Sequence, residues 1–467
     1  MLHSTSGLAA LILAAGEGTR MRSSLPKTLH PLCGRPMIRY PIELARRLGA
    51  DRVVVVIGRG ADQLRQALQG EPIEYVTQHE RRGTGHAVDQ ARALLAAHTG
   101  PVLILYGDMP LLEHATLAGL LDHHQQSAAD LSLLTAVMPD AGHYGRIVRD
   151  AQGRIERIAE FAAASPEQRA IREMNPGVYV AQGTALFEWI AALTPSAANG
   201  EYFLTDIVER ALAAGRRVET ASMEDWTEAA GINSRVDLAQ AEAILRRRIN
   251  QRWMLEGVTF ENPELIRVDV DVRIGRDSVL AAGVALRGRT RLGERCRIAE
   301  GSVLEDCELE DDVWVKPHCA LEEARLAAHV VVGPSAHLRP GARLEAGARV
   351  GNFVEIKNST LGARTKADHL SYIGDADLGS GITIGCGAIT VNYDGFKKTR
   401  TTIGDDAFVG CNSNLIAPVA IEPGAYVAAG STITQPVPAG ALGVARARQR
   451  NIAGWRARKT GKTEKQG

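Results

Sequence analysis

The chain has 467 residues, enough for two or three domains. Lysine plus arginine and aspartate plus glutamate both number 54, so no field of one sign exists to gather nucleic acid or an anionic membrane. The six cysteines are scattered without a CxxC pair, which reads as reduced thiols of a cytosolic protein, not disulfides or zinc ligands.

The longest apolar run, Leu8 to Ala15, is too short to span a bilayer and lacks a basic lead and a cleavage site, so it predicts a core strand. Further strand-like runs are Val53–Ile57, Val102–Leu105, Leu131–Val137 and Val178–Ala181. Helical stretches at Pro41–Leu48, Gly85–Ala97 and Thr116–Gln125 lie between them. That alternation predicts an α/β Rossmann-like domain with a mainly parallel sheet, whose ligands lie beyond the carboxyl ends of its strands.

The first such end reads LAAGEGTRMRSSLPKTLHPLCGRPM, Leu13 to Met37. Gly16, Gly18 and Thr19 make a turn whose N–H groups can converge on phosphate oxygens. Met21 stands where a dinucleotide fingerprint needs glycine, and no G-K-[ST] follows, so both an NAD site and a P-loop are excluded. Arg20 and Lys27 are cations placed to meet a triphosphate. In LILYGDMPLL, Tyr106-Gly107-Asp108 puts a carboxylate just past a buried strand, where a magnesium ligand belongs. A solvated turn aspartate is the plain alternative, and the nearby glycine loop weighs against it.

Ser234 is a predicted N-cap for a linking helix from Arg235 to about Glu256, with Leu238, Ala241, Leu245, Ile249 and Trp253 on one stripe. The basic triplet Arg246–Arg248 lies outside that stripe and reads as a solvated face.

From Ile274 to Ile433 an aliphatic residue returns at every sixth position: Ile274, Leu280, Leu286, Leu292, Ile298, Leu304, then Leu326 to Ile356, then Ile403 to Ile433. Glycine often follows it, and small residues such as Ser413, Ala425 and Ser431 stand two before it. A period of six is the signature of a hexapeptide β-helix, three hexads to a coil, with glycine predicted to serve the tight corners. A sandwich of short strands would instead alternate with period two. The rhythm breaks at HLRPG, NFVEIKNS and KADHLSYIGD, which carry Arg339, Lys357, His369 and Tyr372. It stops between Thr390 and Ile403 for VNYDGFKKTRTT, an insert that stacked coils can accommodate only as an external loop. An isolated histidine is more often a surface residue than a base, but His369 stands in one of the breaks.

LAAGxGTRM, LPK, QxxxxGTGHA at Gln78–Ala87 and YGD together resemble the sugar-1-phosphate nucleotidylyltransferases. Joined to hexapeptide repeats, they resemble the bacterial bifunctional N-acetylglucosamine-1-phosphate uridylyltransferases/glucosamine-1-phosphate N-acetyltransferases, over about Leu8 to Trp455. The fold so implied is an α/β nucleotidyltransferase domain, residues 1–235, a linker helix, 236–256, and a left-handed parallel β-helix acetyltransferase domain, 257–467. The resemblance places the nucleotide loop on Leu13, Ala14, Ala15, Gly16 and Lys27, and the uracil-facing residues on Gln78, Gly83 and Thr84. It places sugar contacts on Tyr106, Gly107, Gly145, Glu160 and Asn175, and magnesium on Asp108 with Asn233. It implies His369 as the general base of acetyl transfer, and Arg339, Lys357, Tyr372 and Thr383 as binders of glucosamine-1-phosphate. Acetyl-coenzyme A contacts fall on Cys386, Asn392, Tyr393, Cys411, Ala429 and Arg446. It further implies a cytoplasmic homotrimer with UTP and N-acetylglucosamine-1-phosphate as the other substrates, and no membrane or nucleic-acid partner.

Three departures stand out. Glu17 fills a slot that relatives fill with Lys, Asn175-Pro176-Gly177 replaces N-T-G, and Cys386 and Cys411 replace Ala and Ser. Those two thiols read equally as cofactor neighbours or as buried filler. The tail after Val444, with Arg446, Arg448, Arg450, Arg456, Arg458, Lys459, Lys462 and Lys465, is predicted to be disordered beyond Trp455. Two rivals remain at this point. One is a single-activity sugar nucleotidylyltransferase whose β-helix only oligomerises or regulates, which would not need Lys357, His369 and the insert. The other is a non-enzymatic scaffold of the same two folds, like the guanine-nucleotide exchange subunits, which would not need Lys27 and Asp108.

Overall fold

The computed structural model describes residues 7–197 and 200–460. Lys462 and Lys465 lie outside the described residues. The chain divides into two compact units, Met1–Leu245 and Arg246–Gly467.

In the first unit the strands are β1 (Ala9–Ala14), β2 (Arg52–Ile57), β3 (Glu74–Thr77), β4 (Pro101–Tyr106), β5 (Leu131–Val137), β6 (Gly145–Arg149), β7 (Ile155–Ala159), β8 (Glu173–Asn175), β9 (Tyr179–Gln182) and β10 (Val218–Ser222). Their order across the sheet is β3-β2-β1-β4-β9-β5-β8-β6-β7, with β10 beside β5. The expected parallel pairing holds for β3, β2, β1 and β4. It fails beyond β4: β9 runs antiparallel to both β4 and β5, and β8, β6 and β7 continue antiparallel. The sheet is therefore mixed. Val178–Ala181 reads as an ordinary apolar run, and its direction is set by its insertion between β4 and β5, which no local pattern encodes. The predicted helix Gly85–Ala97 is two short helices, Thr84–Asp89 and Arg92–Leu95. The sheet is buried on both faces, by clusters containing Ile12, Ile42, Val55 and Leu117 on one side and Leu11, Val88, Phe187 and Ile207 on the other.

The helix Arg235–Leu255 begins where Ser234 accepts from the Asp237 amide (3.2 Å) while the Asp237 carboxylate accepts from the Ser234 amide (2.8 Å), a reciprocal cap.

The second unit is a parallel β-helix of three faces, with eleven, ten and nine strands among the described residues. Every aliphatic of the six-residue period points inward and is buried. Between Leu304 and Leu326 the ladder continues through Leu309, Val315 and Leu321, all buried, with two steps shortened to five residues. Coils of 17 residues therefore stack on coils of 18, as in Ile298↔Val315 and Leu280↔Ile298. A second inward ladder stands two residues before the first. Its hydroxyls tie the coils together: Ser278 Oγ donates to the Gly293 carbonyl (3.0 Å) and accepts from the Cys296 amide (3.1 Å).

Glycine serves some corners as the sequence predicts, as at Gly301 (φ 65°) and Gly347 (φ 69°), but not all of them. The left-handed corner positions are often non-glycine, including Asp277 (φ 60°), Arg295 (φ 55°), Asp312 (φ 59°) and His329 (φ 61°). The glycine after the aliphatic is needed for clearance between coils. A Cβ on Gly275 would lie 2.4 Å from the Gly293 carbonyl carbon, and one on Gly351 would lie 1.8 Å from the Asp368 oxygen. The tail also departs from expectation: Trp455–Thr460 is an exposed helix, with the Arg458 amide bonded to the Gly454 carbonyl (3.0 Å).

Candidate active sites

In the first unit the carboxyl ends of β1, β3 and β4 deliver the predicted residues to one region. Leu13 and Ala14 end β1 and Ala15 follows, all three buried, and Gly16 comes next, exposed. Gly18 sits at φ 64°, and a Cβ there would lie 2.6 Å from Lys27 Cβ, so the turn needs glycine both for its backbone and for Lys27. Lys27 pairs with Asp108 and donates to Asn233 Oδ1 (3.0 Å). The loop carrying Asn233 is held against β4, since the Ile232 amide donates to the Asp108 carbonyl (3.0 Å). A carboxylate oxygen and an amide oxygen thus converge on one cation. Arg20 is exposed and has no ion-pair partner among the described residues.

Gln78 is buried and donates to the Gly83 carbonyl (3.1 Å). Gly83 sits at φ 97°, a backbone conformation that favours glycine, and a Cβ would meet the Tyr202 oxygen at 2.4 Å. Thr84 Oγ1 accepts from the Leu204 amide (3.0 Å). Burial pushes the Tyr106 hydroxyl pKa up, and the charges of Asp108 and Glu160 add to it. Gly107, whose amide donates to the Leu13 carbonyl (2.9 Å), has room for no larger side chain than the gap to Ala14 and Thr28 allows. Gly145 pairs with Asn175 across β6 and β8, and Glu160 accepts from Thr205 (2.7 Å). Asn175 is buried, donates to the Tyr179 hydroxyl (2.7 Å) and accepts from the Gly177 amide (3.0 Å). Gly177 is required beside it, because a Cβ would lie 2.5 Å from the Tyr106 ring. The departing Glu17 is bound by Arg81 (2.5 Å) with Arg59 at 3.9 Å, and the Arg81 hydrogen bond holds its carboxyl below the ordinary glutamate range. Neither arginine stands out in sequence, because both lie far from Glu17 along the chain.

In the second unit the register of the coils makes a column. Asn352 pairs with His369, and Ala367 and Ile384 pair in the next rung, so Cys386 stands one coil beyond His369. Ile384 pairs with Val409 and Val409 with Val427, which brings Cys411 and then Ala429 into the same column. Asn352 Oδ1 lies 3.0 Å from His369 Nδ1; an amide oxygen can only accept, so in the neutral imidazole Nδ1 carries the proton and Nε2 is left as the acceptor. Asn352 was not singled out in sequence, since its partnership with His369 depends on a 17-residue coil. Ala429 is exposed, and its carbonyl accepts from Arg446 (2.7 Å). Cys386 and Cys411 are exposed, so the reading of them as buried filler fails. Cys296, Cys307 and Cys319 are the buried thiols of this unit, and burial pushes Cys307 up to about 11.

On the neighbouring face Lys357 lies 3.9 Å from Asp375, which also accepts from Asn358 (2.6 Å) and Asn392 (2.5 Å). Burial raises the Asp375 carboxyl, but these donors outweigh it and hold the pKa below the ordinary value. Asn392 is therefore buried against Asp375, while Tyr393 is exposed at the start of a small hairpin that bridges to Lys398. The like charge of the nearby Lys357 ammonium lowers the Lys398 pKa. Lys398 was passed over in sequence as one charge among several on the insert. Arg339 is held by Glu355 (2.8 Å), and Tyr372 fills the space where a side chain on Gly374 would stand. Thr383 is exposed on the outer side of the first face, in register with Lys366 and Phe408, whereas Tyr372 stands on the second face beside Glu355.

Each unit thus has the architecture of a transferase class, a nucleotidyltransferase first and a hexapeptide-repeat acyltransferase second. Residues 10–204 match the family model of the MobA-like NTP transferase domain, and residues 400–435 match that of the bacterial transferase hexapeptide. The second unit is accordingly a left-handed parallel β-helix.

Relatives described as bifunctional protein GlmU align along nearly the whole chain. The one from Geobacillus sp. (strain WCH70) is 45% identical, covering 95% of this chain and 96% of its own. Those from Pelobacter propionicus and Exiguobacterium sp. are each 46% identical, covering 98% and 96% of this chain and 99% and 98% of their own. The chain belongs to the bifunctional GlmU family. It is an enzyme of UDP-N-acetylglucosamine synthesis with uridylyltransferase and N-acetyltransferase activities.

A divalent metal is general to the nucleotidyltransferase half of this family. Among the described residues no group of three or more His, Cys, Asp or Glu could hold one. The donor set around Lys27 nevertheless fits, because a hard ion such as magnesium takes one or two protein oxygens and completes its shell with phosphate and water. No helix among the described residues is long and apolar enough to cross a membrane.

Proposed function

We propose that the cleft at Lys27, Asp108 and Asn233 is the uridylyltransferase site, and that the His369 column is the acetyltransferase site. The two domains are then residues 1–235 and 257–467, joined by the helix between. The observation that supports this best is that each unit gathers groups suited to its own reaction, one at parallel strand ends and the other along successive coils.

Uridylyl transfer requires in-line attack of a sugar phosphate oxygen on the α-phosphorus of UTP, with pyrophosphate leaving. The chain's task is to align two anions that repel. The Gly16–Thr19 turn offers N–H groups to the triphosphate, Arg20 reaches it from the exposed edge, and Lys27 neutralises the charge that develops. Gln78, Gly83 and Thr84 face the uracil, while Tyr106, Gly107, Gly145, Glu160 and Asn175 border the sugar. Asp108 and Asn233 would hold Mg2+, which when bound offsets charge on the phosphate oxygens.

In acetyl transfer the amine of glucosamine-1-phosphate adds to the thioester carbonyl of acetyl-coenzyme A. His369 Nε2 takes the amine proton, and Asn352 keeps the imidazole in the tautomer that can do so. Lys357, Lys398 and Arg339 receive the sugar phosphate, with Tyr372 lining the sugar's side. Asp375 positions Asn358, Asn392 and Lys357. Cys386, Asn392, Tyr393, Cys411, Ala429 and Arg446 border the path of coenzyme A. The acetylated product is the substrate of the first unit. The reading includes a cytoplasmic homotrimer whose acetyltransferase sites are shared between subunits.

The test is coupled turnover. Glucosamine-1-phosphate, acetyl-coenzyme A, UTP and magnesium, mixed with the protein, should release free thiol and pyrophosphate together. Omitting acetyl-coenzyme A should stop both, and supplying N-acetylglucosamine-1-phosphate should restore pyrophosphate alone. Pyrophosphate release from unacetylated sugar at the full rate would overturn the order of the two steps.

A further inference from the structure

We propose that Cys386 and Cys411 form a reversible disulfide that closes the acetyltransferase site, an inference that rests on the reading of His369 given above. The two turns that carry them are superposed. The Gly385 amide donates to the Val409 carbonyl (2.7 Å), and the Asn412 amide donates to the Cys386 carbonyl (2.8 Å). Each cysteine follows a glycine that tolerates no Cβ: on Gly385 it would lie 2.6 Å from the Cys411 nitrogen, and on Gly410 it would lie 2.5 Å from the Ala429 nitrogen. Each precedes a left-handed residue, Gly387 (φ 73°) and Asn412 (φ 53°). The side chains therefore leave matching turns in the same direction.

Strands in register lie about 4.8 Å apart, inside the Cα separation of roughly 4.4–6.8 Å that a disulfide spans. Of the six cysteines these two alone are exposed, whereas Cys33, Cys296, Cys307 and Cys319 are buried. The pair is thus selected three ways, by register, by exposure and by its place in the column of His369.

A small-molecule disulfide, RSSR, supplies the oxidant. The thiolate of one cysteine attacks a sulfur of RSSR, giving a mixed disulfide and releasing RS−. The second thiolate then displaces the other RS−, and the two protons lost from the cysteines end on the two RSH released. The Cys386–Cys411 bond lies one coil from His369 and occupies the edge along which coenzyme A must lie. The first unit has only buried Cys33, so uridylyl transfer is untouched.

The full chain is incubated with oxidised glutathione, and each activity is compared with that of the same protein kept reduced. Lys397, Lys398 and Arg400 lie between the two cysteines, so trypsin separates them unless they are bonded. The expected result is a linked Cys386–Cys411 peptide, acetyl transfer down at least about tenfold, recovery with dithiothreitol, and unchanged pyrophosphate release. For the double variant C386A/C411S, the ratio of treated to untreated acetyl transfer should stay near one, whatever its own basal rate. A glutathione adduct without the linked peptide, or a linked protein that acetylates at the reduced rate, would overturn the switch. A reduced protein inert in acetyl transfer would instead overturn the reading of His369, and the switch with it.

Discussion

The two units assemble an active site by opposite routes. In the α/β unit, Gly16, Lys27, Gln78, Asp108, Glu160 and Asn233 come from separate segments, and the mixed sheet delivers each of them once. In the β-helix, Asn352, His369, Cys386, Cys411 and Ala429 occupy one slot repeated on successive coils. A site of the first kind depends on many loop anchors, such as the amide of Ile232 on the Asp108 carbonyl. A site of the second kind depends on register alone, and whatever keeps the coils stacked also keeps the site. The same residue type therefore answers to different demands. Glycine frees the backbone at Gly18 and Gly83, but at Gly351 and Gly385 it clears space for the next coil.

The sharpest way to break this comparison is to silence one site at a time. Asp108→Asn removes the carboxylate that pairs with Lys27 and is proposed to hold the metal, and should lower pyrophosphate release at least about a hundredfold while thiol release persists. His369→Ala removes the proposed base and should lower thiol release by roughly 10²–10⁴, with uridylylation of supplied N-acetylglucosamine-1-phosphate intact. Separate thiol and pyrophosphate assays decide the matter. If either substitution silences both reactions in folded protein, the independence of the two sites is lost.

A smaller effect tests register. In Gly351→Ala the new Cβ would lie 1.8 Å from the Asp368 oxygen, so the coil carrying Asn352 must move from the one carrying His369. Overpacking of this kind costs about 3 kcal/mol. The half-inactivation temperature of acetyl transfer should fall and that of uridylyl transfer should hold. Acetyl transfer as heat-stable as in the parent would mean that the coils are not rigidly stacked.

This contrast also explains what could be read from sequence. The six-residue ladder is visible because each rung is a local repeat, and LAAGEGTRM, LPK and YGD are visible because each is contiguous. The antiparallel half of the sheet is not, since β9 resembles any buried strand and only its neighbours fix its direction. Asn352, Asp375 and Lys398 escape for a related reason. Each acts on a residue of another coil or across the insert, and steps of five residues shift which positions face one another. The clearance role of the glycines that follow the aliphatic is invisible in sequence, because close approach between coils, unlike a turn, leaves no local signature. Arg81 and Arg59 beside Glu17 show the same limit in the first unit.

The smallest effect concerns a glycine that answers to neither demand. Gly119 lies exposed in the helix His114–Gln126, and a Cβ there would meet nothing within 4 Å. It costs the helix the backbone freedom of glycine and returns no turn and no close approach. Gly119→Ala should stabilise the first unit by about 0.5–1 kcal/mol, chiefly by narrowing the unfolded ensemble. For a unit of this size that raises its melting midpoint by roughly 1–4 °C. The half-inactivation temperature of uridylyl transfer should rise by that amount, while that of acetyl transfer stays where it was, because the coils do not share the helix. A fall in the uridylyl value would show that this helix face is covered in the assembled protein. A parallel rise in the acetyl value would show that the two units unfold as one, and would undo the separation on which the comparison rests.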